Sequence, residues 1–435
     1  MYILEKVLLF LAILIPCMPK IEIAEGITMY LYEIVALVTF PLLFRYVKFG
    51  IQRLLMYLWI VILISTLLSC LFLFSSGGLM RCVKEIVYIP LMYLAFKDKT
   101  LLLRNFVWIF TIAFLANGYF LVSNGFALLE LNIWDSEMLS SGLSNKIFSF
   151  NSFSVEVNPL AGGAHGIWLG YNTLAVCIAY IAYKHEEVSR RLFWCVFLMG
   201  TFDVLISVSR EGLICFMCLV IGFFIDLLRK KGYKIKALLA ILFFLLIIIY
   251  IVTIYGENLA IVQKILYTQD SIQSSGNESN IDKRIGAWVI YFLSIIQNPL
   301  NFFIGYGFNQ DYYVYMNQNI ISVYKGDFVT IPESFFVEIA MYGGIIAFVL
   351  GVLLWKELFD LAKKLQSHNT GRILFWLLLG LLIGNLFSGA SVISDLLYSQ
   401  LLIACGILLR YEIVEQKYNN DIRKLINNSF KLESW

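Results

Sequence analysis

Charge is scarce in this sequence: 14% of its 435 residues are Asp, Glu, Lys or Arg, against 60% hydrophobic ones. A soluble domain carries about 25% charged residues, so water is excluded as the main solvent. Histidine is scarcer still, with three in the whole chain. No phosphate-cradling glycine loop, Ser-His-Asp signature or metal-ligand cluster occurs, which removes the common soluble-enzyme chemistries, and no cofactor or metal is expected. No basic stretch points to nucleic acid. The eight cysteines all fall in or beside apolar runs and none lies in a long polar loop, which argues against a disulfide framework. Cys215 and Cys218 form C-x-x-C inside an apolar helical pattern without histidines, the setting of packed small side chains rather than of a metal site.

What the chain does have is long apolar runs. Ala237–Tyr255 contains no charge, and at ~1.5 Å per residue such a run crosses a hydrocarbon layer of roughly 30 Å. Runs of helical length predict an all-α, polytopic membrane protein of about twelve transmembrane helices. They lie near 3–18, 27–44, 54–74, 79–96, 101–122, 164–183, 191–208, 211–228, 237–255, 332–354, 373–391 and 395–410. The first follows Lys6 and has no small-residue cleavage site after it, so it reads as an uncleaved span. With the N-terminus inside, 24 of the 33 lysines and arginines fall in cytoplasmic segments, including a tail at 411–435. Two outer segments are too long to be connections: 123–163, and 256–331 with its own surface helix near 283–297. There Arg284, Trp288, Tyr291, Phe292, Ile295 and Ile296 recur at helical spacing, Asp282 can cap the start, and Asn298-Pro299 ends it.

Ionisable groups at membrane depth are costly, so their positions carry the functional signal. Ser207-Val208-Ser209-Arg210-Glu211-Gly212 puts Arg210 and Glu211 at the outer turn between two apolar helices. Snorkelling to lipid phosphates with a loose pairing to Glu211 explains them as well as a site does. Arg284 heads the apolar face of the surface helix, where it can meet a phosphate at a helix N-terminus or simply pair with Asp282. His165 is the one outer histidine, near Asn172, and is a candidate general base or an interfacial residue; His185 and His368 fall in cytoplasmic loops. At Pro332-Glu333-Ser334, Glu333 suits a helix dipole, whereas Glu338 lies about 7.5 Å deeper, where compensation fades. Asp203, Glu33, Glu85 and Asp395 read as interhelical polar contacts.

In order along the chain, Tyr171-Asn172-Thr173-Leu174-Ala175, Ser209-Arg210-x-Gly212, Arg284-x-x-x-Trp288 running to Asn298-Pro299 and Gly305-Tyr306-Gly307, and the helix opening Pro332 to Gly344 resemble the O-antigen polymerase and ligase family of membrane glycosyltransferases. The likeness covers roughly 165–350 and implies a GT-C-type architecture in the bacterial inner membrane, with the active site outward. It implies metal-independent, inverting polymerisation of undecaprenyl-diphosphate-linked repeat units of an O-antigen or capsule. Arg210 and Arg284 would engage the diphosphate, and His165 or Glu338 would take the acceptor proton. Asn172, Glu211, Trp288 and Glu333 would contact substrate. Ligases resemble the chain too, but carry a Pro-His-Asn-like motif where Pro332-Glu333-Ser334 stands, so the departure favours a polymerase. Implied partners are the donor and acceptor glycolipids, membrane lipids, a chain-length regulator and a flippase. A ligase and a lipid-linked oligosaccharide flippase remain the alternatives, although a flippase would spread its polar groups through a mid-membrane cavity.

Overall fold

Where the solvent offers no hydrogen bonds, an apolar chain closes its own as helices, and helices dominate the computed structural model. It describes residues 2–13, 20–24, 27–30, 50–86, 103–123, 145–150, 153–157, 171–206, 210–229, 280–323, 334–365 and 370–386, with a few isolated positions between them. In chain order the elements begin with α1 (Tyr2–Ile13), β1 (Lys20–Ala24), β2 (Ile27–Tyr30), α2 (Gly50–Phe72), α3 (Ser76–Ile86) and α4 (Leu103–Ser123). Next come β3 (Asn145–Phe150), β4 (Phe153–Val157), α5 (Tyr171–Lys184), α6 (Arg190–Ile206) and α7 (Arg210–Arg229). The last are α8 (Asn280–Gln297), α9 (Pro299–Ile304), α10 (Gln310–Met316), α11 (Gln318–Val323), α12 (Phe335–Lys364) and α13 (Thr370–Leu386). The spans expected at 237–255 and 395–410 and the tail at 411–435 lie outside the described residues.

The outside of the bundle is as apolar as its inside. Trp108, Ile112 and Leu115 on α4, and Trp194, Leu198 and Phe202 on α6, form exposed stripes at helical spacing. Ile64, Leu67 and Leu71 do the same on α2. Water does not tolerate contiguous faces of this kind and lipid does, so the protein is an integral membrane protein. By length and composition α2 can cross a bilayer, α12 has the length for it only if its 30 residues are taken as one straight helix, and several shorter helices are also apolar. The interior is aromatic: Tyr171 is fully buried and meets Phe110 edge-on at 5.1 Å. Of the C-x-x-C pair, Cys215 donates to the Gly380 carbonyl of α13 at 3.0 Å.

An all-helical expectation misses one element. The four strands form an antiparallel sheet in the order β2-β1-β4-β3, with Lys20 opposite Tyr30 on one side and Glu156 on the other. The second apolar run therefore does not begin as a helix: its first residues, Ile27–Tyr30, are a strand. Because β1 pairs with β4, the segment after α1 and the segment between α4 and α5 meet at the same end of the bundle.

The tenth apolar run departs further from expectation. One span over 332–354 is expected, but α12 reverses at Gly343 (φ −132°, ψ 19°) and Gly344 (φ 64°, ψ −161°). A left-handed φ followed by extended ψ is open to glycine and closed to other residues. The short arm then lies back along the long one. Phe335 meets Trp355 with ring centroids 6.0 Å apart, Phe336 meets Phe348 at 5.9 Å, and Ile339 reaches Gly351. In one continuous helix Phe335 and Gly351 would be roughly 24 Å apart. Apolar periodicity reports burial and not direction, so the sequence pattern cannot see a reversal at two adjacent glycines.

Candidate functional site

The reversal strips two carbonyls of α12 of their helical partners, and a non-helical backbone at this depth must be satisfied by other protein groups. Residues 305–307 do this: the Tyr306 amide donates to Met341 O at 2.7 Å and the Gly307 amide to Tyr342 O at 2.9 Å. What reads in the sequence as a simple turn, Gly305-Tyr306-Gly307, is a strut beneath the hairpin. Gly307 has φ +69° and lies so close to the backbone of Thr66 that no Cβ fits. α2 grips the same segment from the other side. The Ser65 hydroxyl donates to Ile304 O, Thr66 Oγ1 accepts from the Phe308 amide at 2.9 Å, and Asn309 Nδ2 donates to Leu73 O at 2.6 Å.

Against this scaffold three side chains converge. Glu338 and Tyr342 are one helical turn apart on the short arm and so share a face, and the Tyr342 hydroxyl donates to Glu338 Oε1 at 2.9 Å. Arg81 enters from α3: its Nη1 donates to the Tyr342 oxygen at 3.3 Å and its Nη2 lies 3.8 Å from Glu338 Oε1. The guanidinium stacks over the Phe308 ring at 4.4 Å, which is itself edge-on to Tyr342 at 4.8 Å. Glu338 is 4% exposed, while the Arg81 side chain keeps 27% of its surface, so the pair opens on the arginine side. Contacts with Thr66 and with Val61 and Ile62 set the cluster near the middle of α2. A carboxylate retained at such depth is expensive unless paired and hydrogen-bonded, and this one has both. Chemically the arrangement offers a buried carboxyl group, a hydroxyl that orients it, and a guanidinium beside it.

Sequence reasoning singled out Glu338 and missed its partners. Arg81 was visible as one of the nine cations outside the cytoplasmic segments, and the i, i+4 spacing of Glu338 and Tyr342 was the second signal. Of the other candidates, Asn172 is buried at the start of α5, and neither atom of its amide has a hydrogen-bond partner among the described residues. Trp288 is half-buried on α8, with its indole Nε1 closed off and similarly unpaired. Arg210 and Glu211 are the first two residues of α7, and Arg284 sits in the second turn of α8. The placement of those three side chains, and all of His165 and Glu333, lie outside the described residues.

The profile of the O-antigen ligase family matches residues 194–352, little more than a third of the chain. That stretch contains Arg210, Arg284, the 305–309 strut and the whole short arm of α12 with Glu338 and Tyr342. No curated protein matches the sequence.

Proposed function

We propose that this protein polymerises undecaprenyl-diphosphate-linked oligosaccharide repeat units of a surface polysaccharide, at the outer face of the bacterial cytoplasmic membrane. A hydroxyl of one lipid-linked unit attacks the anomeric carbon of the growing chain. The bond from that carbon to the diphosphate oxygen breaks, the configuration inverts, and undecaprenyl diphosphate leaves. Arg210 and Arg284 stabilise the negative charge that develops on the departing diphosphate. Glu338 takes the acceptor proton, held in position by Tyr342 and flanked by Arg81; His165 is the second candidate for that proton. The observation that carries the reading is that a buried, doubly partnered carboxylate falls inside the segment matched by the O-antigen ligase family, on the same stretch as the two arginines. The description of that family favours a second reading, a ligase delivering finished glycan to a lipid acceptor. Against it stands Glu333 where the resemblance expects a histidine.

One reconstitution separates these readings. Purified protein given lipid-linked repeat units in the presence of chelator is expected to yield a ladder of products. Transfer of one glycan to a lipid A core acceptor without a ladder would make it a ligase, and movement of intact units without a new glycosidic bond would make it a flippase. Arg210→Ala and Arg284→Ala are each expected to slow polymerisation about a hundredfold. Normal rates in both would remove them from the site.

A further inference from the structure

Arg81 Nη2 lies 3.8 Å from Glu338 Oε1, and the bond from Nη1 to the Tyr342 oxygen is long at 3.3 Å. A charge-assisted hydrogen bond between an arginine and a carboxylate closes to about 2.7–2.9 Å. The carboxyl group therefore holds the guanidinium only loosely, and other contacts set where Arg81 stands. Two supports do so. Phe308 supplies the ring beneath the guanidinium, 4.4 Å away, and Cys82 is the next residue along α3.

Both supports end on one atom, Thr66 Oγ1 of α2. The Phe308 amide donates to it at 2.9 Å and the Cys82 thiol at 3.6 Å, while its own proton goes to Ile62 O at 2.7 Å. A hydroxyl has one proton and two lone pairs, so this one is saturated. Its donor role ties it to its own helix, and its two acceptor positions hold the strut and α3. Thr66 is 0% exposed, so water does not compete for those positions. The backbone around it is equally close. The Cys82 carbonyl accepts from the Trp59 indole of α2 at 2.6 Å, and a Cβ on Gly78 of α3 would come within 2.4 Å of the Phe308 carbonyl oxygen. Phe308 is thus wedged between two helices, its amide on α2 and its carbonyl against α3.

We propose that Thr66 is a positioning residue for Arg81: its hydroxyl fixes both the ring on which the guanidinium stacks and the residue next to it on α3, and so keeps Arg81 beside Glu338 and Tyr342. The proposal rests on the functional reading above, in which Glu338 takes the acceptor proton. Ser65, the preceding residue, supplies the contrast. Its hydroxyl also donates to the strut, but to Ile304 O, away from both supports of Arg81. If α2 were only a scaffold, the two hydroxyls would matter alike.

The test uses full-length protein in detergent and two readouts. One is turnover of lipid-linked repeat units; the other is modification of Arg81 by phenylglyoxal, followed by mass spectrometry, which needs no substrate. Thr66→Val keeps the shape and removes the hydroxyl. It should lower kcat about ten- to a hundredfold with KM unchanged, as a misplaced group near the reacting atoms does, and raise the reactivity of Arg81 severalfold. Thr66→Ser should restore both. Ser65→Ala should leave the reactivity of Arg81 and the turnover of folded protein near their wild-type values. In an Arg81→Lys background, Thr66→Val should cost little further turnover, because the residue through which it acts has already been changed. Cys82→Ala drops only the α3 support and repeats both measurements, with smaller effects in the same direction, where Thr66→Val fails to fold. Unchanged Arg81 reactivity in folded Thr66→Val or Cys82→Ala protein would overturn the proposal. So would losses of kcat that follow the loss of folded protein alike in Thr66→Val and Ser65→Ala, or a full additional loss in the Arg81→Lys background. Raised Arg81 reactivity in these variants, with a wild type that forms no glycosidic bond, would instead overturn the functional reading and leave the positioning role standing.

Discussion

At the scale of single residues, the decisive question is what the Glu338 carboxylate is for. A buried pair of this kind is worth little net stability, but removing one partner leaves the other charge stranded at a cost of about 3–5 kcal/mol. Arg81→Ala is therefore expected to destabilise the protein as well as silence it, and is a poor test alone. Glu338→Gln keeps the shape and still accepts from the Tyr342 hydroxyl, yet cannot take a proton. It is expected to fold near normally and lose about 10²–10⁴ of its turnover, measured as initial rate on lipid-linked units beside a thermal unfolding curve. Tyr342→Phe removes only the orienting hydrogen bond and should show a smaller loss. Full activity in Glu338→Gln would assign the carboxylate to folding and shift the proton to His165. Glu338 was readable from sequence because depth along a helix makes a carboxylate costly. Arg81 was harder to place, since nothing local ties an arginine on α3 to a residue more than 250 positions later.

At the scale of elements, the hairpin of α12 makes the site possible, since it turns Glu338 and Tyr342 toward α3. Its pivot gives a sharp test. A Cβ at Gly344 would run into the carbonyl of Phe303, in a left-handed φ that costs other residues about 1–2 kcal/mol before any clash. Gly344→Ala should lower the unfolding temperature in detergent by several degrees and reduce activity with it. Gly77, with nothing within 4 Å of an added Cβ, is the control, and Gly77→Ala should change little. An unaffected Gly344→Ala would mean that the chain need not reverse there. Most described helices coincide with apolar runs visible in the sequence, because a helix in lipid announces itself by length alone. Three features escaped that logic. The reversal is encoded by two small residues inside an unbroken apolar run. The sheet depends on β1 pairing with β4, more than a hundred residues away, and no local pattern records such a partner. On α8 the apolar face read from the sequence is split: Tyr291 is buried and Phe292 and Ile296 are exposed, while Ala287, Ile290 and Ser294, outside that face, are buried. In water a single apolar stripe names the buried face; beside lipid both faces can be apolar, and the stripe alone does not choose.

At the scale of the whole molecule, contacts between helix ends sort the chain into two poles. Asp226 near the end of α7 accepts from the Tyr180 hydroxyl at 2.7 Å and pairs with Lys184 at the end of α5 and with Arg372 at the start of α13. His185 lies 3.3 Å from Thr370, and the Arg104 amide of α4 donates to Glu187 at 3.0 Å. One pole therefore collects the start of α4, the end of α5, the end of α7 and the start of α13, with Arg190 and Arg191 opening α6 beside them. The opposite pole holds the end of α4, the start of α5 and the sheet joined to them. Cations gather at the first pole, the one that the positive-inside reading of the sequence expects to be cytoplasmic. Tags near Gly232 and Gln366, in the chain leaving α7 and joining α12 to α13, should be protected from reagents outside intact cells. Tags near Ser141, four residues before β3, and near Gly276, ahead of α8, should be reached. The Ser141 result bears on the sheet as well, because β1 and β4 can pair only if both segments are on one side. A cytoplasmic Gly276 would place α8, the strut and the mouth of the charged cluster on the wrong side of the membrane for an outward-facing polymerase, and would remove the proposed function.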